Sequence, residues 1–389
     1  MRVLHVTPYF APAFRYGGPP RSILGLCRSL GAAGVDVEVF TTTANGPEPL
    51  AEAPDGTEYE GVRVRYFPLA WPKRYWRGAG LGAALGRALA GADLVHVHGL
   101  WNMTGSTAVA HARDAKRPYV VSPRGMLQPA AMRRHRAMKM AAYWAFEREH
   151  LRAASFLHAT SSIEEHQLTG FGPPVVSIAN GVTPIVVPAG ALERLRERAN
   201  LHADDEVVMF LGRLHPIKRL DLLAEAFAAV HRVRPRARLV IAGPDEGGYR
   251  QRVEPLFASI VHATRWIGPV DAETTGALFA ASRTLVQCSD SESFGMSVAE
   301  ALTAGLPVVV TDRSPWSQVG TLGCGYSVAH EAQAVAKAVL HILEHPAEGC
   351  AMGVRGKAWA HDTFGWEKTG RLMRDAYQQV LDRPRSRAS

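Results

Sequence analysis

One stretch decides the fold: Ser289-Asp290-Ser291-Glu292-Ser293-Phe294-Gly295-Met296-Ser297-Val298-Ala299-Glu300-Ala301-Leu302. It follows an apolar run at 284–288 that predicts a strand, and it leads through a glycine-containing loop into a predicted helix. A second apolar run, 307–311, comes directly after that helix. Apolar strands that alternate with helices are typical of a parallel sheet covered on both faces. The stretch therefore predicts a doubly wound α/β domain.

The same alternation extends through the rest of the chain. Further short apolar runs predict strands at 2–7, 36–41, 93–97, 118–122, 155–159, 175–178, 207–211, 238–242 and 263–267. Helical spacing of apolar residues predicts helices at 20–33 and 219–234, and a polar helix is expected at 191–200. A turn signal at 180–184 separates the two series. We therefore expect an α/β protein with two Rossmann-like doubly wound domains, 1–184 and 185–365, that face each other across a cleft.

Composition excludes several other classes of protein. The 389 residues are 47% hydrophobic and 21% charged, which excludes a disordered chain. The four cysteines are scattered without a C-x-x-C pair, which excludes a disulfide framework and a zinc finger. No apolar run reaches the roughly 18 residues of a membrane span, and the N-terminus lacks the features of a signal peptide. These observations predict a cytoplasmic protein.

The net charge of +8 is concentrated in one segment. Residues 113–152 hold ten Lys or Arg and three acidic residues. Such a patch indicates an anionic partner, which on charge alone could be a phosphate, a membrane surface or a nucleic acid. Methionines and aromatic residues are interleaved with the cations, as in basic helices on anionic membranes. A solvated basic face over a buried apolar one explains the pattern equally well.

In the first half, three groups follow predicted strands. Gly17-Gly18 lies at a strand-to-helix turn, where backbone N–H groups can approach an anion, although a tight turn without a ligand has the same sequence. His96 and His98 share one face of a strand, and His98 lies at its carboxyl end. We interpret His96 as a core residue and His98 as a ligand contact. A zinc pair would need further ligands that the sequence does not identify. Arg124 follows the next strand.

In the second half, two loops combine charges that suit a phosphorylated ligand. Arg213 and Lys218 bracket a strand-to-helix loop and provide cations for a diphosphate. Free N–H groups near Gly295, Met296 and Ser297 would form an anion site at a helix N-terminus. Glu292 and Glu300 flank that N-terminus, where carboxylates accept hydrogen bonds from vicinal hydroxyls. Backbone N–H groups that can bind a phosphate therefore lie between two carboxylates that can bind hydroxyls, and this combination predicts a nucleotide-sugar ligand.

The chain resembles the retaining glycosyltransferases of GT-B fold, family 4, also called group 1. The resemblance rests on the E-x7-E motif from Glu292 to Glu300, supported by Gly17-Gly18, His98-Gly99 and Arg213 with Lys218. Ser122-Pro123-Arg124-Gly125-Met126-Leu127 is similar to a bacterial subgroup that builds exopolysaccharide, capsule and lipopolysaccharide. The resemblance implies transfer of a hexose from a nucleotide-diphosphate sugar to a glycan or lipid-linked saccharide acceptor, with retention of anomeric configuration. It also implies an acceptor-binding first domain, a donor-binding second domain, and a last helix, about 366–383, that crosses back to the first.

The resemblance also assigns roles to individual residues. Arg213 and Lys218 would neutralise the donor diphosphate, and Glu300 would hold the ribose. Glu292 and the backbone of Phe294, Gly295 and Met296 would hold hydroxyls of the transferred sugar. His98 would contact that sugar near the anomeric carbon. Gly17 and Gly18 would approach the donor, and Ile267 would line the base pocket. The catalytic set is therefore Glu292, His98, Arg213 and Lys218, and Arg124, Arg133 and Arg134 would lie on the acceptor side. No metal or other cofactor is implied.

Two other functions are open at this level. A nucleotide-sugar epimerase or hydrolase of the same fold would need no acceptor surface, so the basic stretch argues mildly against it. The pI of about 9.5 is also typical of nucleic-acid-binding proteins. However, no recognition motif of that class is present, so we expect no nucleic-acid partner. The basic stretch instead favours peripheral contact with the inner face of the plasma membrane.

Overall fold

Two β-sheets, both almost entirely parallel, carry the fold in this computed structural model, which describes residues 1–50, 57–133 and 135–383. The chain divides into two units. The first comprises Met1–Gly181 together with the chain from Trp366 onward, and the second is Val182–Gly365. The first unit thus ends three residues before the boundary expected at 184, and the chain returns to it at Trp366.

Eight strands form the sheet of the first unit. The ten strands of this unit are β1 (Arg2–Val6), β2 (Asp36–Thr42), β3 (Thr57–Tyr59), β4 (Val62–Phe67), β5 (Leu69–Ala70), β6 (Arg77–Gly78), β7 (Leu94–His98), β8 (Tyr119–Ser122), β9 (Phe156–Ala159) and β10 (Val175–Ser177). The sheet order is β10-β9-β8-β7-β1-β2-β4-β3, in which β3 alone runs antiparallel to its neighbour. Strands β5 and β6 form a separate antiparallel pair.

The helices of the first unit connect these strands. They are α1 (Gly18–Ala32), α2 (Leu81–Ala88), α3 (Met103–Asp114), α4 (Pro129–Arg133), α5 (Arg136–Ala142), α6 (Arg148–Arg152) and α7 (Ser162–Leu168). A π-helical turn, Tyr143–Glu147, joins α5 to α6. Helix α3 begins where the Asn102 side chain accepts a hydrogen bond from the Gly105 N–H, a standard N-cap.

The second unit is a six-stranded parallel sheet between helices. Its strands are β11 (Glu206–Leu211), β12 (Ala237–Ala242), β13 (Thr264–Gly268), β14 (Ser282–Gln287), β15 (Val308–Thr311) and β16 (Gly325–Val328), in the order β13-β12-β11-β14-β15-β16. Its helices are α8 (Ala191–Ala199), α9 (Leu220–Val233), α10 (Tyr249–Val253), α11 (Ala272–Ala281), α12 (Met296–Ala304), α13 (Gln318–Thr321), α14 (Ala332–Glu344) and α15 (Pro346–Thr363).

The last helix, α16 (Trp366–Leu381), belongs to the first unit and packs on α1. Met373 and Tyr377 of α16 are fully buried in the same apolar core as Val3, Ile23 and Leu30. Full burial of an apolar side chain contributes about 1.5–3 kcal/mol. The sheet of the first unit therefore depends on a segment that follows the whole second unit in sequence.

The structure confirms the α/β class and the parallel sheets, and it adds strands that the sequence did not predict. Strand β4 alternates Val62, Val64 and Tyr66, which are buried, with two arginines, so it does not form a continuous apolar run. Strand β16 is a short sheet edge that begins at a glycine. Among the described residues, no helix is both long and apolar enough to cross a membrane.

Candidate active site

Charged side chains of the second unit gather at the carboxyl ends of β11 and β14. These two strands are neighbours, and the strand order reverses between them. In open α/β sheets, ligands bind outside the carboxyl ends of the strands at such a switch point. The loops after β11 and β14 carry Arg213, Lys218 and Glu292. The structure thus brings together residues that the sequence predicted from separate motifs.

Lys218 and Glu292 form an ion pair between these two loops. Lys218 ends the 3₁₀ turn Pro216–Lys218, which is capped by His215, whose Nδ1 accepts the Ile217 N–H at 3.1 Å. The Lys218 Nζ donates to Oε1 of Glu292, and the Ser289 hydroxyl donates to the same oxygen at 2.8 Å. The two side chains are only 15% and 11% exposed, so the attraction is screened less than at the open surface.

Arg213 is paired as well, but nearer to solvent. Its guanidinium contacts the Glu246 carboxylate, which lies on the loop after β12. That loop is fixed because the Leu214 N–H donates to the Pro244 carbonyl at 2.8 Å. The two cations proposed for a diphosphate therefore each hold a carboxylate partner in this structure.

Asp290 joins the two loops, and the sequence did not identify it as a site residue. Its carboxylate accepts hydrogen bonds from Arg219 at 3.3 Å and Arg313 at 2.6 Å, and the His330 Nε2 lies 3.4 Å away. Its N–H donates to the Ile217 carbonyl at 2.8 Å. Asp290 thus fixes the loop after β14 against the turn that presents Lys218.

Helix α12 begins at the centre of this group. Gly295 precedes it with a φ of 85°, a conformation that favours glycine, and a Cβ there would lie 2.8 Å from the Trp316 Nε1. The Trp316 Nε1 donates to the Phe294 carbonyl, and Phe294 is buried. Within the described chain, no side chain caps α12. Its first N–H groups and its dipole therefore suit an anion.

Two further residues of the predicted donor site lie on neighbouring elements. Glu300 is half-buried in the middle of α12, and Glu292 lies on the loop that precedes this helix. Ile267 is buried near the end of β13, and its carbonyl accepts a hydrogen bond from Arg198 of α8 at 2.6 Å. Arg198 could not be predicted as a site residue, because the polar helix that carries it is distant in the chain from β13.

The first unit has its own switch point, between β1 and β7. Gly17 ends the turn after β1 with a φ of 84°, and Gly18 is the first residue of α1. His98 ends β7 and is buried, with its side chain on the same face of the sheet as His96 and His5. The predicted residues of the first domain therefore also lie at carboxyl ends of strands.

A chain of hydrogen bonds fixes the ring tautomers beside His98. The His158 Nε2 lies 2.9 Å from the Ile178 carbonyl and must donate, so its Nδ1 accepts from the Ser122 hydroxyl at 2.7 Å. The His96 Nε2 then donates to Ser122 at 2.6 Å, and its Nδ1 accepts from the Tyr377 hydroxyl at 2.5 Å. His96 is thus a fully bonded core residue.

His98 has different partners. Its Nδ1 faces Arg124, with the guanidinium Nε at 3.3 Å and Nη2 at 3.2 Å, and its Nε2 lies 2.9 Å from the His5 Nδ1. Burial lowers the pKa of His98 well below its usual value, and the neighbouring His96 and Arg124 lower it further. The imidazole at the end of β7 is therefore neutral at physiological pH.

The nitrogens of His5, His96 and His98 come within 4.8 Å of one another, close enough for a metal ion. However, both ring nitrogens of His96 and of His98 already take part in hydrogen bonds. A cation there would also lie beside the Arg124 guanidinium. The donor set fits a hydrogen-bonded cluster rather than a metal centre.

The three arginines predicted on the acceptor side differ in their surroundings. Arg124 turns inward to His98 and also donates to the Ser22 hydroxyl at 3.1 Å. Arg133 is exposed at the end of α4. Arg134 lies outside the described residues. The structure does not show a shared cluster for them.

Two Rossmann-like units in one chain, each with polar side chains at its switch point, are the architecture of the GT-B glycosyltransferases. Comparison with known families gives the same class. The profile "Glycosyl transferases group 1" matches residues 192–359, and the profile "Glycosyl transferase 4-like domain" matches residues 17–181. The chain belongs to the group 1 glycosyltransferases.

Individual relatives extend over the full chain. A D-inositol 3-phosphate glycosyltransferase of Kineococcus radiotolerans is 29% identical over 99% of this chain and 96% of its own. A second enzyme of that name, from Streptomyces avermitilis, is 28% identical over 100% and 88%.

Solved structures share the fold. The sucrose-phosphate synthase of Thermosynechococcus elongatus superposes with a TM-score of 0.76 at 21% identity, covering 98% of this chain and 99% of that one. Anabaena HepE in complex with UDP-glucose gives 0.76 at 18% identity, covering 97% and 100%.

Proposed function

We propose that this protein is a retaining hexosyltransferase that takes its sugar from a nucleotide-diphosphate donor. The observation that carries the proposal is the shared edge of the second sheet, where Lys218, Arg213 and the uncapped start of α12 lie with Glu292. Cations and helix N–H groups bind phosphates, whereas the carboxylate accepts sugar hydroxyls.

The chemistry follows from where charge develops. When the anomeric C–O bond breaks, the leaving nucleoside diphosphate gains negative charge. Positive groups that are already in place at that position lower the barrier. Lys218, Arg213 and the α12 dipole supply this charge, which is the role a divalent ion has in many other phosphate-transfer enzymes. We therefore propose that transfer is independent of metal, with activity retained in excess EDTA.

Retention is proposed to follow a front-face path. The departing phosphate oxygen takes the proton of the acceptor hydroxyl, and that hydroxyl attacks the anomeric carbon on the face that the phosphate leaves. The neutral imidazole of His98 is proposed to contact the transferred sugar near the anomeric carbon. A product with inverted anomeric configuration, read by proton NMR, would overturn this path.

The acceptor is proposed to be a glycan or a lipid-linked saccharide in the synthesis of a bacterial exopolysaccharide, capsule or lipopolysaccharide. The Ser122–Leu127 segment supports this assignment by its resemblance to that subgroup. Another structure with the same fold, WaaG, is described as a glycosyltransferase involved in lipopolysaccharide biosynthesis, with a TM-score of 0.69 and 16% identity.

We also propose peripheral contact with the inner face of the plasma membrane. Arg133 at the end of α4 and residues 136–148, which run from α5 through the π-helical turn to the start of α6, are here called the basic aromatic surface. This surface exposes three large apolar side chains among its cations. They are Met138, Trp144 and Phe146, with exposed fractions of 47%, 64% and 38%. The Arg148 guanidinium lies 5.0 Å from the Trp144 ring centroid. Aromatic residues beside cations suit the headgroup region of an anionic bilayer.

A donor screen tests the proposed function. The protein is mixed with UDP-, GDP-, ADP- and TDP-hexoses, and its melting temperature is measured. Because a ligand that binds the folded state raises that temperature, one nucleotide class should give a shift. The chosen donor is then incubated with saccharide acceptors, and the products are analysed by mass spectrometry. Transfer to an acceptor supports the proposal.

The same assay without acceptor separates the alternative functions. A nucleotide-sugar epimerase would convert the donor into its epimer. A hydrolase would release free sugar as fast without acceptor as with it. A glycosyltransferase should release sugar only slowly without acceptor, because water is a poor substitute in the acceptor position.

A further inference from the structure

The backbone at Arg124 adopts an unusual conformation. Arg124 has a φ of 52° and Gly125 a φ of 78°, so two consecutive residues are left-handed, which is uncommon for a residue as large as arginine. Such residues persist only where the surroundings fix them, and they cluster at functional sites. Neighbouring residues must therefore hold the left-handed backbone of Arg124 and Gly125 in place.

Glu164 of α7 holds this loop. Its Oε1 accepts the Gly125 N–H at 2.5 Å, and its Oε2 accepts the N–H and hydroxyl of Thr160 at 2.8 and 2.7 Å. Glu164 is 1% exposed. A buried carboxylate with three hydrogen bonds is a rigid anchor. It fixes the turn that aims the Arg124 side chain at His98.

The guanidinium then dictates the state of His98. Arginine can only donate hydrogen bonds, so the His98 Nδ1 beside it must be the bare, accepting nitrogen. The proton of the neutral ring is therefore on Nε2, which donates to the His5 Nδ1 at 2.9 Å. The guanidinium Nη1 donates to the Ser22 hydroxyl at 3.1 Å and to the side-chain Oδ1 of Asn180 at 3.5 Å, and these contacts hold its other side.

His5 is an acceptor that a substrate can replace. Since its Nδ1 accepts from His98, its own proton is on Nε2. That atom is buried and has no hydrogen-bond partner among the described residues. The pair therefore leaves one donor unsatisfied, and a sugar oxygen that accepts the hydrogen bond of the His98 Nε2–H in place of His5 would remove the constraint that keeps His5 in this tautomer.

We propose that Arg124, held by Glu164, is the positioning residue that keeps the proton of the neutral His98 ring on Nε2, ready to donate to an oxygen of the transferred sugar. This inference rests on the proposed function, because it takes the His98 contact with the sugar from it. It assigns Arg124 to the reaction centre instead of the acceptor surface.

The charges around the ring fix the sign of a pH effect. His98 faces His5 from β1, His96 from its own strand, His158 from β9 and Arg124. Arg124 in turn lies near Glu164 of α7, Cys27 of α1, Tyr9 and Tyr377 of α16. Loss of the guanidinium removes a positive charge, so the pKa of His98 rises. The acidic limb of activity should therefore move to higher pH.

The first experiment reads the tautomer directly, by nitrogen-15 NMR of imidazole-labelled protein. The His98 signals are assigned by their loss in His98→Gln. We expect one tautomer in the wild type, with the proton on Nε2, and a mixture in Arg124→Gln. Glu164→Gln keeps the guanidinium and should show a smaller change, so it serves where Arg124→Gln does not fold. A wild-type His98 protonated on Nδ1 overturns the proposal without any variant.

The second experiment measures transfer against pH. Arg124→Gln should lower kcat about 100-fold and shift the acidic limb upward, while the donor Kd changes less than about twofold because the residues proposed to hold the diphosphate and the ribose are in the other unit. Arg124→Lys should recover part of kcat and the wild-type limb, since it restores the charge. Arg87→Gln, an exposed arginine on α2, is the matched control. Unchanged kcat and pH profile in Arg124→Gln would overturn the proposal. If the wild type transfers no sugar, the proposed function fails, and the NMR result still decides the role of Arg124.

Discussion

Lys218 and Glu292 are bound to each other, although both of them are proposed to contact the sugar donor. The lysine is proposed to meet the diphosphate and the glutamate to meet sugar hydroxyls. Each side chain neutralises the charge of the other, which avoids an unpaired charge in a half-buried position. Donor binding therefore has to exchange this ion pair for contacts with the ligand.

This exchange predicts opposite effects on binding and transfer. Glu292→Gln frees the lysine, so the nucleoside diphosphate without a sugar should bind a few-fold more tightly, while sugar transfer falls about 100-fold. Lys218→Ala should weaken diphosphate binding and lower transfer about 100- to 1000-fold. Calorimetry and initial rates measure the two effects. Lys337→Ala, an exposed lysine on α14, is the control. Weaker diphosphate binding in Glu292→Gln would contradict the exchange.

Glu300 should report on the donor independently of catalysis. If it holds the ribose, Glu300→Ala should remove most of the rise in melting temperature that the donor gives the wild type, because stabilisation follows ligand affinity. The measurement is a thermal-shift titration with the donor identified in the screen. Glu225→Ala, on α9, tests whether the loss of any glutamate from the unit has this effect. An unchanged donor shift in Glu300→Ala would exclude the ribose contact.

The buried histidines predict loss of stability in mild acid. Burial lowers the pKa of His5 and His158 to about 3, and His96 and His98 are also lowered well below 6.5. Below pH 6.5 these histidines are protonated in the unfolded chain but stay neutral in the folded first unit. The free energy of unfolding therefore decreases as pH falls. Four such rings together correspond to about 4 kcal/mol between pH 6.5 and 5.5.

Urea unfolding of the first unit at a series of pH values measures this loss. His158→Gln should reduce the slope by about a quarter, as expected from one ring in four. The exposed His361→Gln should leave it unchanged. A first unit whose stability is constant from pH 7 to 5.5 would show that these rings are not neutral in the folded protein.

Tyr377→Phe should destabilise the first unit selectively. The Tyr377 hydroxyl is the partner of the His96 Nδ1, and without it a buried acceptor remains unpaired, at a cost of about 1–3 kcal/mol. Hydrogen exchange, read separately in the two units, measures the effect. Tyr75→Phe, at a half-buried tyrosine whose hydroxyl makes one long contact with the Met138 Sδ at 3.6 Å, should change stability by less than about 0.5 kcal/mol. Equal destabilisation of both units would contradict the assignment of α16 to the first.

The basic aromatic surface predicts binding to anionic vesicles. Replacing Arg133 and Arg136 by serine removes two surface cations, each worth about 1 kcal/mol near an anionic bilayer, so partitioning should fall about 30-fold. Trp144→Ser should also weaken binding, although it leaves the charge of the surface unchanged. Vesicle co-sedimentation with and without anionic lipid measures both. Arg232→Ser with Arg283→Ser, two exposed arginines of the second unit, is matched in charge, and an equal loss there would show that the effect is not specific to this surface.

The strands could be predicted from sequence where they are buried on both faces. Continuous apolar runs predicted β7 and β15, because a parallel sheet covered by helices needs apolar residues on both sides. Strand β4 escaped this rule, since Arg63 and Arg65 alternate with its buried residues. Its inward residues have the two-residue period of a sheet with one solvated face, which would have been the signal to use.

The candidate site was predictable in its residue types but not in its pairings. The spacing of Glu292 and Glu300 indicated a hydroxyl-binding loop, yet nothing in the sequence showed that Lys218 would bind Glu292. Arg124 looked like one more member of a basic stretch. Its inward orientation depends on Glu164, Ser22 and Asn180, which come from three separate parts of the chain, so only the folded structure reveals it.

The return of α16 to the first unit also determines the order in which the two units can complete their folding during translation. A ribosome makes Met1–Gly181 first, but the helix that supplies Tyr377 and Met373 emerges only after the entire second unit has been translated. The second unit can therefore finish folding while the first still exposes the apolar and histidine face that α16 will cover. The half made first is the half completed last, and during that interval it is the part of the nascent chain most open to aggregation and to chaperones.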